Sequence, residues 1–270
     1  MKYVVITGSS GGMGTATVKK YIDNGYFVFG LDNQAPSYQL DNFKYISTDV
    51  RDASHVINAF NIVKQETDEI EAIINMVGIT ELKSLVEISE EDFINIFNSN
   101  VFGMYRVNKT FLPLLKEKGK VIIVSSELAP LEPLPFVGIY GITKTTVEKY
   151  AYSLRMELQL LNKYVVVIRP GAVDTPMIEA SAKKIDNFQN DTQLYSYNAK
   201  RFKNITDGVQ SKNIPPERIA KLIYKVSNKK KPKYIYKINR NAGLLILNAL
   251  PKRTQNWIIK KILAKKNKKR

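Results

Sequence analysis

The residues Tyr140 and Lys144 are the pair in this sequence best suited to acid–base chemistry. Residues four apart lie on one face of a helix, so the hydroxyl and the ammonium can reach the same site. A phenol ordinarily titrates at about pH 10, and a nearby positive charge favours phenolate and lowers that pKa. We therefore expect Tyr140 to act as a general acid or base near neutral pH. Because the chain has 15 Tyr, a Tyr and a Lys at this spacing can occur by chance, so the assignment depends on the motifs around them.

A serine pair precedes these residues at the end of an apolar run. Val121–Val124 leads into Ser125 and Ser126. Ligands of parallel sheets bind beyond the carboxyl ends of the strands. A hydroxyl at Ser126 could therefore hydrogen-bond a substrate oxygen and steady Tyr140.

A glycine-rich loop follows the first strand-like run, Tyr3–Thr7, and a helical pattern comes after it. Glycines permit a tight turn and a close approach of backbone to pyrophosphate, which then lies at the positive end of the next helix. The sequence therefore predicts a dinucleotide site. The loop residues assigned to it are Gly8, Ser10, Gly12, Met13 and Gly14.

An acidic residue ends the second strand-like run, at Asp32. Its carboxylate can accept hydrogen bonds from both hydroxyls of the adenosine ribose and would repel a 2′-phosphate. Its neighbours Asn33 and Gln34 are uncharged, and the glycine loop has no Arg. We therefore expect NAD as the cofactor, with NADP less favoured.

Strand-like and helix-like segments alternate along the chain and must position these residues. The predicted strands are Tyr3–Thr7, Phe27–Asp32, Phe43–Ser47, Ala72–Met76, Val121–Ser125 and Val165–Arg169. The predicted helices are Thr15–Asn24, Ala53–Thr67, Glu90–Leu115 and Thr143–Leu161. This alternation predicts an α/β fold, a doubly wound parallel sheet in a single domain of Rossmann type.

Taken together, these motifs resemble the compact branch of the short-chain dehydrogenase/reductase family, over about residues 1–180. The matching elements are the glycine motif Thr7–Gly14, Asn75-Met76-Val77-Gly78, Asn100, Ser126, Tyr140 with Lys144, and Pro170–Thr175. Gly8, Gly11 and Gly14 also fit the extended branch, which includes sugar epimerases. The chain length and Pro170–Thr175 favour the compact branch.

The resemblance implies a catalytic tetrad of Asn100, Ser126, Tyr140 and Lys144. Tyr140 would be the acid/base, Lys144 would bind the nicotinamide ribose, Ser126 would position the carbonyl oxygen, and Asn100 would hold a relay water. The further cofactor contacts implied are Asp49, Val50, Asn75, Gly78, Pro170, Gly171, Val173 and Thr175. Glu127 departs from the family pattern, in which small or apolar residues are frequent after the serine, and the sequence suggests no role for it.

Composition removes several classes of function. The chain of 270 residues has no Cys and one His, His55, which excludes thiolate chemistry and disfavours a metal site, so no metal ligand is predicted. From Arg218 onward there are 18 Lys and Arg and no Asp or Glu, whereas the preceding part has 23 basic and 25 acidic residues.

The N-terminus runs directly into a strand, and no apolar run could span a membrane, so a cytoplasmic protein is expected.

Three regions are assigned on this basis. Residues 1–250 would form the catalytic domain, with a helical and mobile substrate loop at 178–213, and residues 251–270 a basic amphipathic helix. Apolar residues near the site predict a lipophilic alcohol or ketone, and the far C-terminal pattern resembles that of family members that act on steroids or retinoids. The basic helix would either contact an anionic membrane surface or pack on the domain. Nucleic acid is a less favoured partner.

Other functions remain open at this point. One alternative is a protein that binds NAD as a sensor or scaffold without turnover, and another is epimerase-type chemistry on the same fold. The family resemblance also implies a homo-dimer or homo-tetramer.

Overall fold

Seven parallel strands form one sheet in the computed structural model, which describes residues 1–208 and 213–264. The strands are β1 Lys2–Thr7, β2 Tyr26–Asp32, β3 Phe43–Ser47, β4 Ile70–Asn75, β5 Leu115–Val124, β6 Tyr164–Pro170 and β7 Ile235–Ile238. Their order in the sheet is β3-β2-β1-β4-β5-β6-β7. The strand order reverses beside β1, and this is where ligands of doubly wound sheets bind. The predicted fold class is confirmed.

Helices cover both faces of the sheet. They are α1 Gly12–Ile22, α2 Ala53–Glu66, α3 Glu90–Phe97, α4 Gly103–Phe111, α5 Gly138–Leu158, α6 Pro176–Asp191, α7 Ser196–Gly208, α8 Pro216–Ser227, α9 Ala242–Ala249 and α10 Lys252–Leu263. One core lies between the sheet and α2, α4 and α5, and the other between the sheet and α1 and α8. Strands buried on both faces explain the continuous Val and Ile runs of β1, β4, β5 and β6.

The helix predicted at Glu90–Leu115 is helical as far as Leu114, but it is not a uniform α-helix. The chain forms α3, then a π-helical turn at Asn98–Phe102, then α4 and a short 3₁₀ turn at Leu112–Leu114. Pro113 lies in that last turn and has no amide hydrogen to continue the helix. Leu115 consequently begins β5, six residues earlier than the predicted strand, and the strand ends at Val124 rather than Ser125.

One strand, β7, was absent from the prediction. It has only four residues and pairs along β6 at the edge of the sheet. The preceding segment is rich in Lys and contains Pro232, a composition typical of a turn. The sequence therefore gives little sign of a strand there.

The predicted loop at 178–213 contains two helices, most of α6 and the whole of α7; residues 209–212 lie outside the described part. Phe188 and Phe202 of these helices pack on Leu82 and Phe136, forming a small core above the carboxyl edge of the sheet. At the C-terminus, α10 covers Lys252–Leu263, and residues 265–270 of the predicted basic helix lie outside the described residues. Among the helices that the structure describes, none is long and apolar enough to cross a bilayer.

Candidate active site

Two neighbouring cavities open at the carboxyl edge of the sheet. The first, here called the glycine-loop cavity, has a volume of about 340 Å³, and the second, the tyrosine cavity, about 380 Å³. Met13, Gly78 and Thr175 line both. The two cavities are therefore continuous parts of one cleft.

Most of the predicted cofactor residues line this cleft. Those on the glycine-loop cavity are Gly8, Gly12, Met13, Gly14, Asp32, Asp49, Val50, Gly78 and Thr175. Those on the tyrosine cavity include Pro170, Gly171, Val173, Tyr140 and Lys144. Ser10 and Asn75 line neither cavity: the Ser10 amide donates to Asp32, and the buried Asn75 Nδ2 donates to Asn108 Oδ1 at 2.8 Å.

The glycine loop is packed so tightly that side chains would not fit at two positions. Gly8 has a φ of +70°, and a Cβ placed on Gly14 would lie 1.9 Å from the Gly8 carbonyl oxygen. The loop therefore turns directly from β1 into α1, and Gly12, Met13 and Gly14 of its first turn line the cavity. The first amides of a helix have no partner within the helix. This cradle fits a pyrophosphate group.

The Asp32 carboxylate is fixed at the end of β2. Its Oδ2 accepts from the Ser10 amide and its Oδ1 from the Gln34 amide, both at 3.0 Å. These bonds hold a negative charge at the rim of the glycine-loop cavity.

Arg51 is a lining residue that the sequence analysis missed. Its guanidinium binds Asp49 through Nε and Nη2, and its Nη1 donates to Asn95 Oδ1 at 2.9 Å. The guanidinium also holds the pKa of Asp49 below its usual range. The Arg51 side chain is thus already hydrogen-bonded to Asp49 and Asn95. The spacing of these residues in the sequence does not reveal this pairing.

Tyr140 lies in the first turn of α5 and faces Ser126. Burial raises the pKa of Tyr140 to about 12, and a hydrogen bond with Ser126 partly opposes that rise. The attraction to Lys144 that the sequence predicts is not among the causes of this shift, of which desolvation of the phenolate is the largest. The phenol is a proton donor at neutral pH.

Lys144 lies one turn further along α5 and is 5% exposed. Its Nζ lies 5.6 Å from the centre of the Tyr140 ring and donates to the Val124 carbonyl oxygen at 3.3 Å. Burial lowers the pKa of Lys144 to about 8, while the charge of Glu148 acts in the opposite direction. The ammonium therefore loses its proton more readily than a solvated lysine.

Asn100 lies in the π-helical turn and is buried. Its Oδ1 accepts from the Ile79 amide at 2.8 Å, and its Nδ2 donates to the Ile79 carbonyl and to Thr143 Oγ1, each at 3.0 Å. Both amide hydrogens are thus used by the protein, and the side chain braces the loop after β4 against α5.

Three charged residues on the tyrosine cavity had no assigned role from the sequence. Glu81 and Lys184 form an ion pair of 2.7 Å. Glu127 is 8% exposed and accepts a hydrogen bond from the Asn241 amide at 2.6 Å. No local pattern marks Glu81 or Lys184, because they are about 100 residues apart in the chain.

This geometry can move a proton to or from an oxygen held between Ser126 and Tyr140, next to a cleft fit for a dinucleotide. Comparison with known proteins agrees. The family model described as short chain dehydrogenase matches residues 2–186.

Two relatives align over most of the chain. The 3-ketodihydrosphingosine reductase of Bacteroides thetaiotaomicron is 23% identical, covering 94% of this chain and 92% of its own. The NADPH-dependent 3-dehydrocapnine reductase of Ornithobacterium rhinotracheale is 28% identical, covering 87% of each chain.

A solved structure has the same fold. A short chain dehydrogenase family protein from Francisella tularensis superposes with a TM-score of 0.73 at 22% identity, covering 88% of this chain and 97% of the other. With a family model that matches more than half of its length, this chain belongs to the short-chain dehydrogenase family of oxidoreductases.

Proposed function

We propose that the protein transfers a hydride between NAD(H) and a lipophilic ketone or secondary alcohol. The observation that carries this proposal is the placement of Ser126, Tyr140 and Lys144 on one cavity that is continuous with the glycine-loop cavity. A bound nicotinamide supplies the hydride to the carbonyl carbon, or accepts it in the reverse direction.

The protein's own groups handle the oxygen and its proton. In reduction, the Tyr140 hydroxyl donates its proton to the substrate oxygen, and in oxidation the phenolate takes it back. Ser126 holds the same oxygen by a hydrogen bond. Lys144 would bind the nicotinamide ribose, and Asn100 positions α5 through Thr143. Hydride and proton together account for the two electrons and two hydrogens of the reduction.

The preference for NAD is supported by charge at the rim of the glycine-loop cavity. Asp32 would accept hydrogen bonds from ribose hydroxyls, and the nearby Arg51 is occupied by Asp49 and Asn95. A 2′-phosphate would therefore be repelled by the Asp32 carboxylate. The Arg51 guanidinium would not be free to bind it, because it is paired with Asp49 and Asn95. One relative is named as NADPH-dependent, so this preference needs direct measurement.

The measurement compares turnover with NADH and NADPH in the wild type and in Asp32→Asn. We expect the wild type to favour NADH and the variant to lose at least about tenfold of that preference, because repulsion of the phosphate is removed. Asp41→Asn is the control, because Asp41 is exposed, and it should leave the preference for NADH unchanged. Equal use of NADPH by the wild type would contradict the proposal.

A lipophilic substrate is supported by the lining of the tyrosine cavity. The apolar residues there include Leu82, Val124, Leu128, Val137 and Ile178. The two relatives above are both named as reductases of a 3-keto or 3-dehydro compound. In a series of ketones of increasing chain length, we expect kcat/KM to rise with length, and a preference for short polar ketones would contradict the proposal.

Contact with a membrane surface is proposed for the C-terminal segment. Trp257 of α10 is 59% exposed and Ile246 of α9 is 67% exposed. Lys260 and Lys261 follow Trp257 in α10 by three and four residues, and no acidic residue follows Arg218. Exposed apolar side chains next to lysines are typical of helices that lie on anionic lipid.

A homo-oligomer is proposed from apolar exposure around α3, α4 and α5. Phe93, Phe102, Tyr105, Tyr152 and Met156 are all exposed there. Such a patch is typical of an interface between copies of one chain. Analytical ultracentrifugation should give a mass of two or four chains, and a monomer at micromolar concentration would contradict this.

A further inference from the structure

Glu127 is a buried carboxylate that the proposed hydride transfer does not use. It follows Ser126 directly, and both side chains line the tyrosine cavity. It is 8% exposed, and burial raises its pKa. A buried charge of this kind is costly unless a partner offsets it.

The partners of Glu127 inside the protein are incomplete. Oε2 accepts from the Asn241 amide at 2.6 Å, and Arg240 is close enough to lower the pKa of the carboxyl without forming an ion pair with it. For Oε1, no hydrogen-bond donor is found among the described residues. One oxygen of the carboxylate is therefore still available as an acceptor.

This oxygen lies beside a residue that has no side chain. A Cβ placed on Gly171 would be 3.0 Å from Glu127 Oε1 and 1.7 Å from the Asn239 carbonyl oxygen. The close approach of Asn239 requires glycine there, and Gly171 itself lines the tyrosine cavity. No side chain at position 171 can therefore cover the carboxylate on that side.

The other charges of the cavity are already matched. Lys184 pairs with Glu81 at 2.7 Å, and Lys144 donates to the Val124 carbonyl oxygen below the Tyr140 ring. Glu127 is thus the acidic residue of this cavity without a cation at ion-pair distance among the residues described. A positively charged group entering the cavity would find its counter-ion there.

We infer that Glu127 binds an ammonium group of the substrate, so that the reacting ketone or alcohol carries an amine close to its oxygen-bearing carbon. This inference rests on the proposed function, because Ser126 and Tyr140 are taken to hold the oxygen. Ser126, Tyr140 and Glu127 line the same cavity, so the oxygen-bearing carbon and the amine would be held within one small part of the substrate. The apolar lining receives the rest of the molecule.

The test uses three long-chain secondary alcohols of equal length with the hydroxyl at carbon 3: one with a 2-amino group, one with a 2-hydroxyl and one unsubstituted. Oxidation is followed by nicotinamide absorbance, and binding of each ligand is measured separately by calorimetry. The wild type should prefer the amine by about tenfold or more in both readouts, since hydrogen bonds between charged groups are the strong ones.

Glu127→Gln is the informative variant, because glutamine keeps an acceptor for the Asn241 amide and removes the charge. It should lose the preference for the amine over the other two alcohols, in turnover and in binding, because the charge that attracts the ammonium is gone. Glu132→Gln is the matched control: Glu132 lies on the same loop, is half exposed and pairs with Lys252 outside the tyrosine cavity.

The outcomes separate this inference from the proposed function. Equal preference for amine and hydroxyl, or an amine preference that persists in Glu127→Gln, would overturn the ammonium site while leaving the dehydrogenase. Binding of the amine that depends on Glu127, with no turnover of any alcohol, would support the site and overturn the proposed hydride transfer. If Glu127→Gln does not fold, the wild-type comparison of the three ligands still decides.

Discussion

Burial has opposite effects on the two residues of the acid–base pair. It raises the pKa of Tyr140 to about 12 and lowers that of Lys144 to about 8, because both changes favour the uncharged form. The sequence shows that the two residues are neighbours on a helix but not how deeply they lie. The sequence therefore predicted an attraction between them, and not the desolvation that is the largest cause of both shifts.

The pH dependence of the reaction follows from the direction of the Tyr140 shift. Reduction needs the protonated phenol, so its kcat should stay level through neutral pH and fall only as pH approaches the raised pKa. Oxidation needs the phenolate, so its kcat should increase with pH, by up to about tenfold per unit well below that pKa. Rates measured in both directions from about pH 6 to about pH 10 check this, and a reduction rate that falls steeply near neutral pH would contradict it.

At the scale of elements, the turn from β1 into α1 is the part of the site that depends most on close packing. A Cβ on Gly14 would overlap the Gly8 carbonyl oxygen at 1.9 Å, whereas a Cβ on Gly11 would meet its nearest atom at 3.5 Å. The two glycines are three residues apart, Gly11 just before α1 and Gly14 in its first turn, but they have very different space around them.

This contrast predicts different costs for two alanine substitutions. Gly14→Ala should lower the free energy of unfolding by about 1–3 kcal/mol, because the backbone must move to accept the methyl group. Gly11→Ala should unfold close to the wild type. Chemical denaturation of the three proteins measures this, and equal stability of the two variants would show that the loop is less tightly packed than described.

The elements also show where sequence patterns suffice and where they fail. The ends of β1, β2, β4 and β5 carry the site, and apolar runs followed by Gly, Asp, Asn or Ser located each of them within a few residues. The π-helical turn at Asn98–Phe102 was not predicted, because nothing in the local sequence distinguishes it from the α-helix on either side. Asn100 could be named from the family resemblance, but its three hydrogen bonds to Ile79 and Thr143 depend on tertiary packing.

For the whole molecule, the fold accounts for how distant segments reach one cleft. Residues from the loop after β1 to the turn after β6 line the two connected cavities. The C-terminal segment joins them through Glu127, which holds the Asn241 amide just before α9. Glu127 had no explanation in the sequence, since its partner lies 114 residues away.

For the whole chain, the proposed membrane contact predicts that binding to vesicles depends on both lipid charge and Trp257. The wild type should co-sediment with anionic vesicles, less so at high salt, because screening weakens the attraction. Trp257→Ala should weaken binding by roughly tenfold by removing an exposed apolar group. Leu160→Ala, at another exposed apolar residue, is the control, and equal behaviour of all three proteins would contradict the proposal.

The central claim is that Tyr140 exchanges a proton with the substrate oxygen during hydride transfer. The most direct measurement is nicotinamide absorbance during turnover of a long-chain ketone by the wild type, by Tyr140→Phe and by Tyr152→Phe, a control at an exposed tyrosine of the same helix. We predict that Tyr140→Phe lowers kcat by about 10²- to 10⁴-fold while still binding the dinucleotide, and that Tyr152→Phe behaves like the wild type. Undiminished turnover in Tyr140→Phe would contradict the account.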